Sequence, residues 1–341
     1  MVTPPGIDLD AVRSLMDARR PGLVSGPLSA ELITGGRSNL TYRVSDGEHR
    51  WVLRRPPLGH VLATAHDMAR EHRVISALAD SPVPVPETVL LCEDPSVLGV
   101  PFYVMAEVPG VVLRGREDTT RLGPTRARAV SHALVDVLAD LHTLDPERVG
   151  LADFGRPEGY LTRQVARWRK QLDASRSREL PGVDDLHARL AATVPDSPRA
   201  AIVHGDYRLD NVLVDPETAR ITAVLDWEMA TLGDPLADLG LFVLYWDGGH
   251  GAVHLVTGEA ASAPGMPGAD ELVRRYAERT GADLSRLSWY VALAMFKLAV
   301  VLEGIHYRHS QGRTVGAGFD RIGEHVPALV AGGLATLDEE A

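Results

Sequence analysis

Cysteine is nearly absent: Cys92 stands alone in 341 residues. A single thiol excludes an internal disulfide framework and a multi-cysteine zinc site, which points to a cytoplasmic protein and leaves Cys92 as a small buried residue. Net positive charge is missing as well. With 35 basic and 46 acidic side chains the formal charge is −11, so neither nucleic acid nor an anionic membrane is expected as the main partner. No uninterrupted apolar run approaches the roughly 18 residues that a membrane span requires. The opening residues Met1-Val2-Thr3-Pro4-Pro5 lack the basic start and apolar core of a secretory leader. There is no internal repeat. What remains is an ordinary globular composition, 45% hydrophobic and 24% charged, in a chain long enough for two lobes with substantial cores.

Two short segments carry chemistry. His204-Gly205-Asp206-Tyr207-Arg208-Leu209-Asp210-Asn211 is followed, twenty residues after Asp206, by Asp226 in Leu225-Asp226-Trp227. Kinases place a base Asp and a metal-binding Asn five residues apart on one loop, and a second metal-binding Asp at the end of a nearby hairpin. Asp206, Asn211 and Asp226 fit that layout. The reaction needs a carboxylate to receive the proton of an attacking hydroxyl, and hard oxygen donors to hold Mg²⁺ against the phosphates of ATP. The flanks agree: 201–203, 212–214 and 221–225 are short apolar runs, and Asp215-Pro216 between the last two reads as a turn.

Upstream, Asp8 is placed to cap a helix over Leu9–Arg20 and Pro21-Gly22 to end it. Strand patterns at 28–33, 40–44 and 51–54 predict a small antiparallel sheet. Between the first two lies Gly35-Gly36-Arg37-Ser38-Asn39, where glycines permit close backbone approach and N–H groups can meet phosphate oxygens. Gly35, Gly36, Ser38 and Asn39 are therefore candidate nucleotide contacts, with a plain hairpin turn as the alternative. Arg54 occupies the third-strand position where protein kinases carry a phosphate-gripping Lys, and Glu71, in a helical segment over 65–78, is its candidate carboxylate partner. On helical periodicity alone Glu71 also reads as an ordinary exposed residue. Prolines exclude a helix over Ser81–Pro86, and 101–107 reads as a buried strand leading to Pro109-Gly110. A hinge fits there, with backbone groups at Glu107 and Val108 meeting the adenine edge.

The second segment runs on as Leu225-Asp226-Trp227-Glu228-Met229-Ala230-Thr231-Leu232-Gly233-Asp234-Pro235-Leu236-Ala237-Asp238-Leu239. Together with the first it resembles the signatures of the aminoglycoside phosphotransferase-like, or choline-kinase-like, family of small-molecule kinases. The resemblance implies an α+β, protein-kinase-like bilobal fold: a small antiparallel-sheet N-lobe over 1–108 and a mainly helical C-lobe over 109–341. It implies Asp206 as the base or hydroxyl-orienting carboxylate, Asn211 and Asp226 as Mg²⁺ ligands, and Arg54 with Glu71 as the phosphate-orienting pair. His204 and Asp238 are expected to be structural, Asp238 accepting hydrogen bonds from the catalytic-loop backbone. Only a dozen residues separate Asp226 from Asp238, which leaves no room for a peptide platform and makes a protein substrate unlike this chain.

Over 289–309 the pattern predicts a long helix in which Lys297, His306, Arg308 and His309 outnumber one acid, Glu303. That balance favours a neutral or anionic acceptor, and the stretches Phe296-Lys297-Leu298-Ala299, Gly304-Ile305 and Leu53-Arg54-Arg55-Pro56-Pro57 resemble the family branch fused to acyl-CoA dehydrogenases. The expected acceptor is a small-molecule hydroxyl, in a hydroxyacyl-CoA or hydroxy acid. Two alternatives stay open: an aminoglycoside O-phosphotransferase, and a nucleotide-binding pseudokinase scaffold.

Overall fold

The computed structural model describes residues 4–33, 39–58, 66–197, 199–247, 259–312 and 321–339. The fold is α+β, divided into Met1–Gly110 with Thr222–Ala230, and Val111–Ile221 with Thr231–Ala341.

In the first unit, helix α1 (Leu9–Arg19) starts where Asp8 Oδ1 accepts the N–H groups of Asp10 and Ala11, at 3.1 and 3.0 Å. Strands β1 (Ser29–Leu32), β2 (Leu40–Ser45) and β3 (Arg50–Arg55) precede helix α2 (Met68–Ala77), strand β4 (Thr88–Cys92), the short helix α3 (Pro95–Leu98) and strand β5 (Phe102–Ala106). The five strands form one antiparallel sheet in the order β1-β2-β3-β5-β4. Tyr42, Val44, Trp51, Leu53, Phe102 and Val104 bury one core with Val12 and Met16 of α1; each such side chain contributes about 1.5–3 kcal/mol. Alternation along a strand then decides what two adjacent arginines do. Arg55 shares the face of Trp51 and Leu53, and its guanidinium binds the carbonyls of Gly6 and, at 3.4 Å, Leu98. Arg54 points to the other face and meets α2. The segment 222–230 belongs to this unit through side-chain and backbone bonds. Val224 N–H donates to Pro84 O at 2.8 Å, Thr222 Oγ1 to Pro109 O at 2.9 Å, and Arg70 Nη2 to Ala230 O at 3.0 Å.

The second unit is mainly helical: α4 (Arg116–Leu122), α5 (Pro124–Thr143), α6 (Tyr160–Ser175) and α7 (Val183–Ala192) come before strand β6 (Ala201–Val203). Strands β7 (Val212–Asp215), β8 (Arg220–Val224, of which Thr222–Val224 belong to the first unit) and β9 (Thr231–Gly233) follow, then α8 (Pro235–Asp247), α9 (Ala269–Thr280), α10 (Leu287–Ser310) and α11 (Val326–Asp338). Strands β7 and β8 pair, and Asp215 holds their turn by accepting from Glu217 N–H at 2.9 Å and Thr218 Oγ1 at 2.6 Å. Strands β6 and β9 pair antiparallel, with Ala201 opposite Gly233 and Val203 opposite Thr231. Helices α8 and α10 approach closely: a Cβ on Gly240 would stand 2.7 Å from the Tyr290 backbone, so only glycine fits. Among the described residues α10 is the one helix long and apolar enough to cross a membrane, yet 72% of its most apolar window is buried, as in a core helix.

Candidate active site

The first unit assembles one guanidinium among three carboxylates. Arg54 Nε lies 3.1 Å from Glu71 Oε2, Arg54 Nη2 binds Asp226 Oδ1, and Glu228 Oε2 is 3.7 Å from the same nitrogen. The side chain of Glu71 is 1% exposed and that of Arg54 13%, so the pair interacts largely out of water, where charges act strongly. Burial opposes the charge on Arg54, but Glu71, then Tyr103 and Asp226, more than offset it and hold the guanidinium protonated. Glu71 is pushed up to about 7 by burial; Arg54 pulls it back, while Asp226 and Glu228 push it further. Asp226 adopts the left-handed region at φ 64°, a conformation that Asp tolerates better than most residues. It leads into a single 3-10 turn, Trp227–Met229, whose buried Trp227 donates Nε1–H to Val224 O at 3.0 Å.

In the second unit the loop after β6 is held at each peptide group around Asp206. Asp238 of α8 accepts His204 N–H at 2.5 Å and Gly205 N–H at 2.8 Å. Asp206 N–H donates to His204 Nδ1 at 3.2 Å, which makes that ring nitrogen an acceptor. Lys297 Nζ donates to Gly205 O at 2.7 Å, and Tyr207 anchors the loop by donating to Leu134 O at 2.8 Å. Asn211 Nδ2 donates to both the carbonyl and Oδ2 of Asp206, at 2.9 and 3.0 Å. Its nitrogen is thereby committed, and the amide oxygen is the end able to ligate a cation. The other carboxylate oxygen of Asp206 accepts from Tyr245 Oη at 3.0 Å, and Arg208 Nε lies 3.3 Å from Oδ2. Burial would raise Asp238, but hydrogen bonding and charge from His142 and the Gly205 N–H outweigh it and hold the carboxyl below its usual range. His142 in turn meets Tyr276 Oη at 2.7 Å.

Beyond Tyr245 a cavity of about 330 Å³ opens, lined among others by Trp246, Asp247, Glu259, Ser262 and Met266. Its apolar and polar walls suit a small organic molecule.

The candidate residues of the sequence thus divide between two clusters. Arg54, Glu71 and Asp226 meet in one; His204, Asp206, Asn211 and Asp238 meet in the other. Gly35, Gly36 and Ser38 lie outside the described residues. Asn39 is described, and both ends of its amide are taken: Nδ2 donates to Glu228 Oε2 at 3.0 Å and Oδ1 meets His66 Nδ1 at 2.8 Å. At the hinge, Glu107 N–H donates to Arg50 O at 3.1 Å, while its carboxylate pairs with Arg43 Nε at 2.6 Å. The sequence pattern singles out neither Tyr245 nor His142, which act through contacts with chain far away in sequence that spacing does not reveal. Lys297, counted in the sequence among the cations that favour a neutral or anionic acceptor, donates to the catalytic-loop carbonyl of Gly205.

Comparison with known proteins adds a family. The model of the APH phosphotransferase enzyme family matches residues 29–289. Acyl-CoA dehydrogenase family member 11 of Gallus gallus is 35% identical over 324 residues, covering 92% of this chain and 41% of that protein. The chain spans only 28% to 41% of the length of the first curated relatives it matches. A solved structure from Ralstonia eutropha JMP134 that carries the aminoglycoside phosphotransferase name is 34% identical, with a TM-score of 0.84 and coverage of 97% of this chain and 98% of that one. A thermostable mutant of aminoglycoside phosphotransferase APH(4)-Ia, solved with ADP and hygromycin B, covers 95% of this chain and 97% of its own at a TM-score of 0.61; with 18% identity the likeness is one of fold. The chain belongs to the APH phosphotransferase enzyme family.

Proposed function

We propose that this protein transfers the γ-phosphate of ATP to the hydroxyl of a small acyl compound, a hydroxyacyl-CoA or hydroxy acid, with Mg²⁺ as its metal. The observation that carries the reading is the Asp206 carboxylate, whose two oxygens are fixed by Tyr245 and Asn211 while its backbone is held on both sides. A carboxylate so oriented is prepared to align an acceptor hydroxyl and take its proton as the phosphorus–oxygen bond forms. Asn211 and Asp226 supply the hard oxygen donors suited to Mg²⁺. When bound, the ion neutralises charge on the phosphates. Arg54, steadied by Glu71, orients the phosphates, and the Glu107 carbonyl with the Val108 N–H receives the adenine edge. His204 and Asp238 keep the loop in place.

The acyl assignment draws on the relatives that carry the acyl-CoA dehydrogenase name. A second reading, a cationic aminoglycoside acceptor, draws on Asp247 and Glu259 at the wall of the cavity beside Tyr245. ATP consumption and product mass, measured over a panel of hydroxyacyl-CoAs, hydroxy acids and kanamycin-like amines, separate the two. Phosphorylated acyl product is the expected result. Turnover confined to amines overturns the acyl assignment, and nucleotide binding with no transfer to any acceptor favours a scaffold.

A further inference from the structure

We propose that Lys297 is a positioning residue for Asp206, setting the peptide that joins Gly205 to Asp206; the proposal rests on Asp206 carrying the transfer. Lys297 sits in the middle of α10, between the buried Phe296 and Leu298. An ammonium there loses water and must find partners. Its Nζ donates to Gly205 O at 2.7 Å and lies 5.6 Å from the centroid of the Trp168 ring, a cation–π distance. Burial lowers its proton affinity, and the nearby charges of Asp206 and Asp238 oppose that loss. A lysine placed merely to brace two helices would be expected to reach a neighbouring side chain. This one reaches the carbonyl immediately before the proposed base.

The location gives the bond its consequence. Gly205 has φ +84°, and glycine rotates about its backbone at little steric cost. A half-turn of the Gly205–Asp206 peptide would exchange its carbonyl and N–H and swing the Asp206 side chain out of its pose. Two groups oppose that rotation from opposite edges: Lys297 holds the carbonyl, and His204 Nδ1 holds the Asp206 N–H at 3.2 Å. Asp238 fixes the two N–H groups before it. Without Lys297 the carbonyl loses its cationic partner and the peptide loses one of its two holds.

Full-length Lys297→Met and Lys297→Arg are compared with wild type and Asp206→Asn, using MgATP hydrolysis with water as the acceptor and amide hydrogen exchange over residues 203–211. Lys297→Met is expected to lower kcat by about 10- to 100-fold, the scale of a misplaced catalytic group, with KM for MgATP within about twofold of wild type. Exchange should quicken over 203–211 and stay unchanged elsewhere. Lys297→Arg, which keeps a donor cation, should recover most of both. Wild-type kcat in Lys297→Met, exchange at 203–211 that does not change, or a loss spread evenly over the whole chain overturns the proposal. If wild-type hydrolysis is too slow to measure, the exchange result decides alone. Asp206→Asn keeps the two ideas apart: full hydrolysis by that variant sinks the reading of Asp206, whereas an inactive Asp206→Asn beside a fully active Lys297→Met sinks only the role of Lys297.

Discussion

Tyr245 Oη donates a hydrogen bond to Asp206 Oδ1 at 3.0 Å, with the Arg208 guanidinium 5.5 Å from the centroid of the tyrosine ring. Burial, then the neighbouring Asp206, hold the Tyr245 hydroxyl well above its ordinary proton affinity, so it remains a donor across the physiological range. One lone pair of Asp206 Oδ1 is thereby used to fix direction, and another remains for a substrate proton. The same tyrosine lines the cavity beyond. Tyr245→Phe should lower kcat/KM for the acceptor by about three- to tenfold, the worth of roughly one hydrogen bond. Nucleotide affinity should not change. Steady-state kinetics with each substrate varied in turn, beside calorimetric nucleotide binding, checks both halves.

Asp238 links loop order to pH. Its folded-state proton affinity lies below that of an unfolded Asp, near 3.9. Because the unfolded state binds the proton more readily, the contribution of Asp238 is complete above that value and is lost as pH falls through the lower, folded one. Asp238→Asn replaces an oxygen that accepts a backbone N–H with an amide nitrogen that cannot. We expect a loss of about 2–3 kcal/mol at pH 7, from hydrogen bonds to a buried charge, and a gap to wild type that closes below about pH 4. Urea unfolding across pH measures it.

Arg54 is the cation shared by Glu71, Asp226 and Glu228. Arg54→Met leaves Glu71, Asp226 and Glu228 without their shared cation, and about 3 kcal/mol should be lost near pH 8, as expected when one partner of a buried pair is removed. Glu71, pushed up to about 7 by burial, binds its proton more tightly folded than unfolded, so its term favours the fold at low pH and fades as pH rises from about 4.3 through 7. The defect should therefore shrink at pH 6. Millimolar Mg²⁺ without nucleotide should raise Tm more in Arg54→Met than in wild type, since a cation can then approach Asp226 without competing with the guanidinium. Thermal unfolding with and without Mg²⁺ at the two pH values provides the check.

The fold was legible where local pattern decides it. The strand segments before Pro109 and the long helix over 289–309 follow from periodicity, and that helix is observed as Leu287–Ser310. Side-chain partnerships were less legible. Arg54 and Arg55 are chemically the same residue, and which of them faces α2 depends on the pleat and on where α1 packs. Arg54 also meets Asp226, 172 residues away, and Asn39 meets Glu228, 189 residues away. The loop motif reads plainly because its residues bind one another over five positions. Tyr245 and Lys297 reach the same loop from 39 and 92 residues downstream, through helix packing that leaves no spacing in the chain.

The central claim, that Asp206 aligns and deprotonates an acceptor hydroxyl for phosphoryl transfer, is tested most directly by single-turnover transfer from MgATP in Asp206→Asn. The account predicts a fall of at least about 100-fold in the transfer rate, the scale of lost general-base catalysis, with nucleotide affinity within about twofold of wild type. Transfer at the wild-type rate would contradict it.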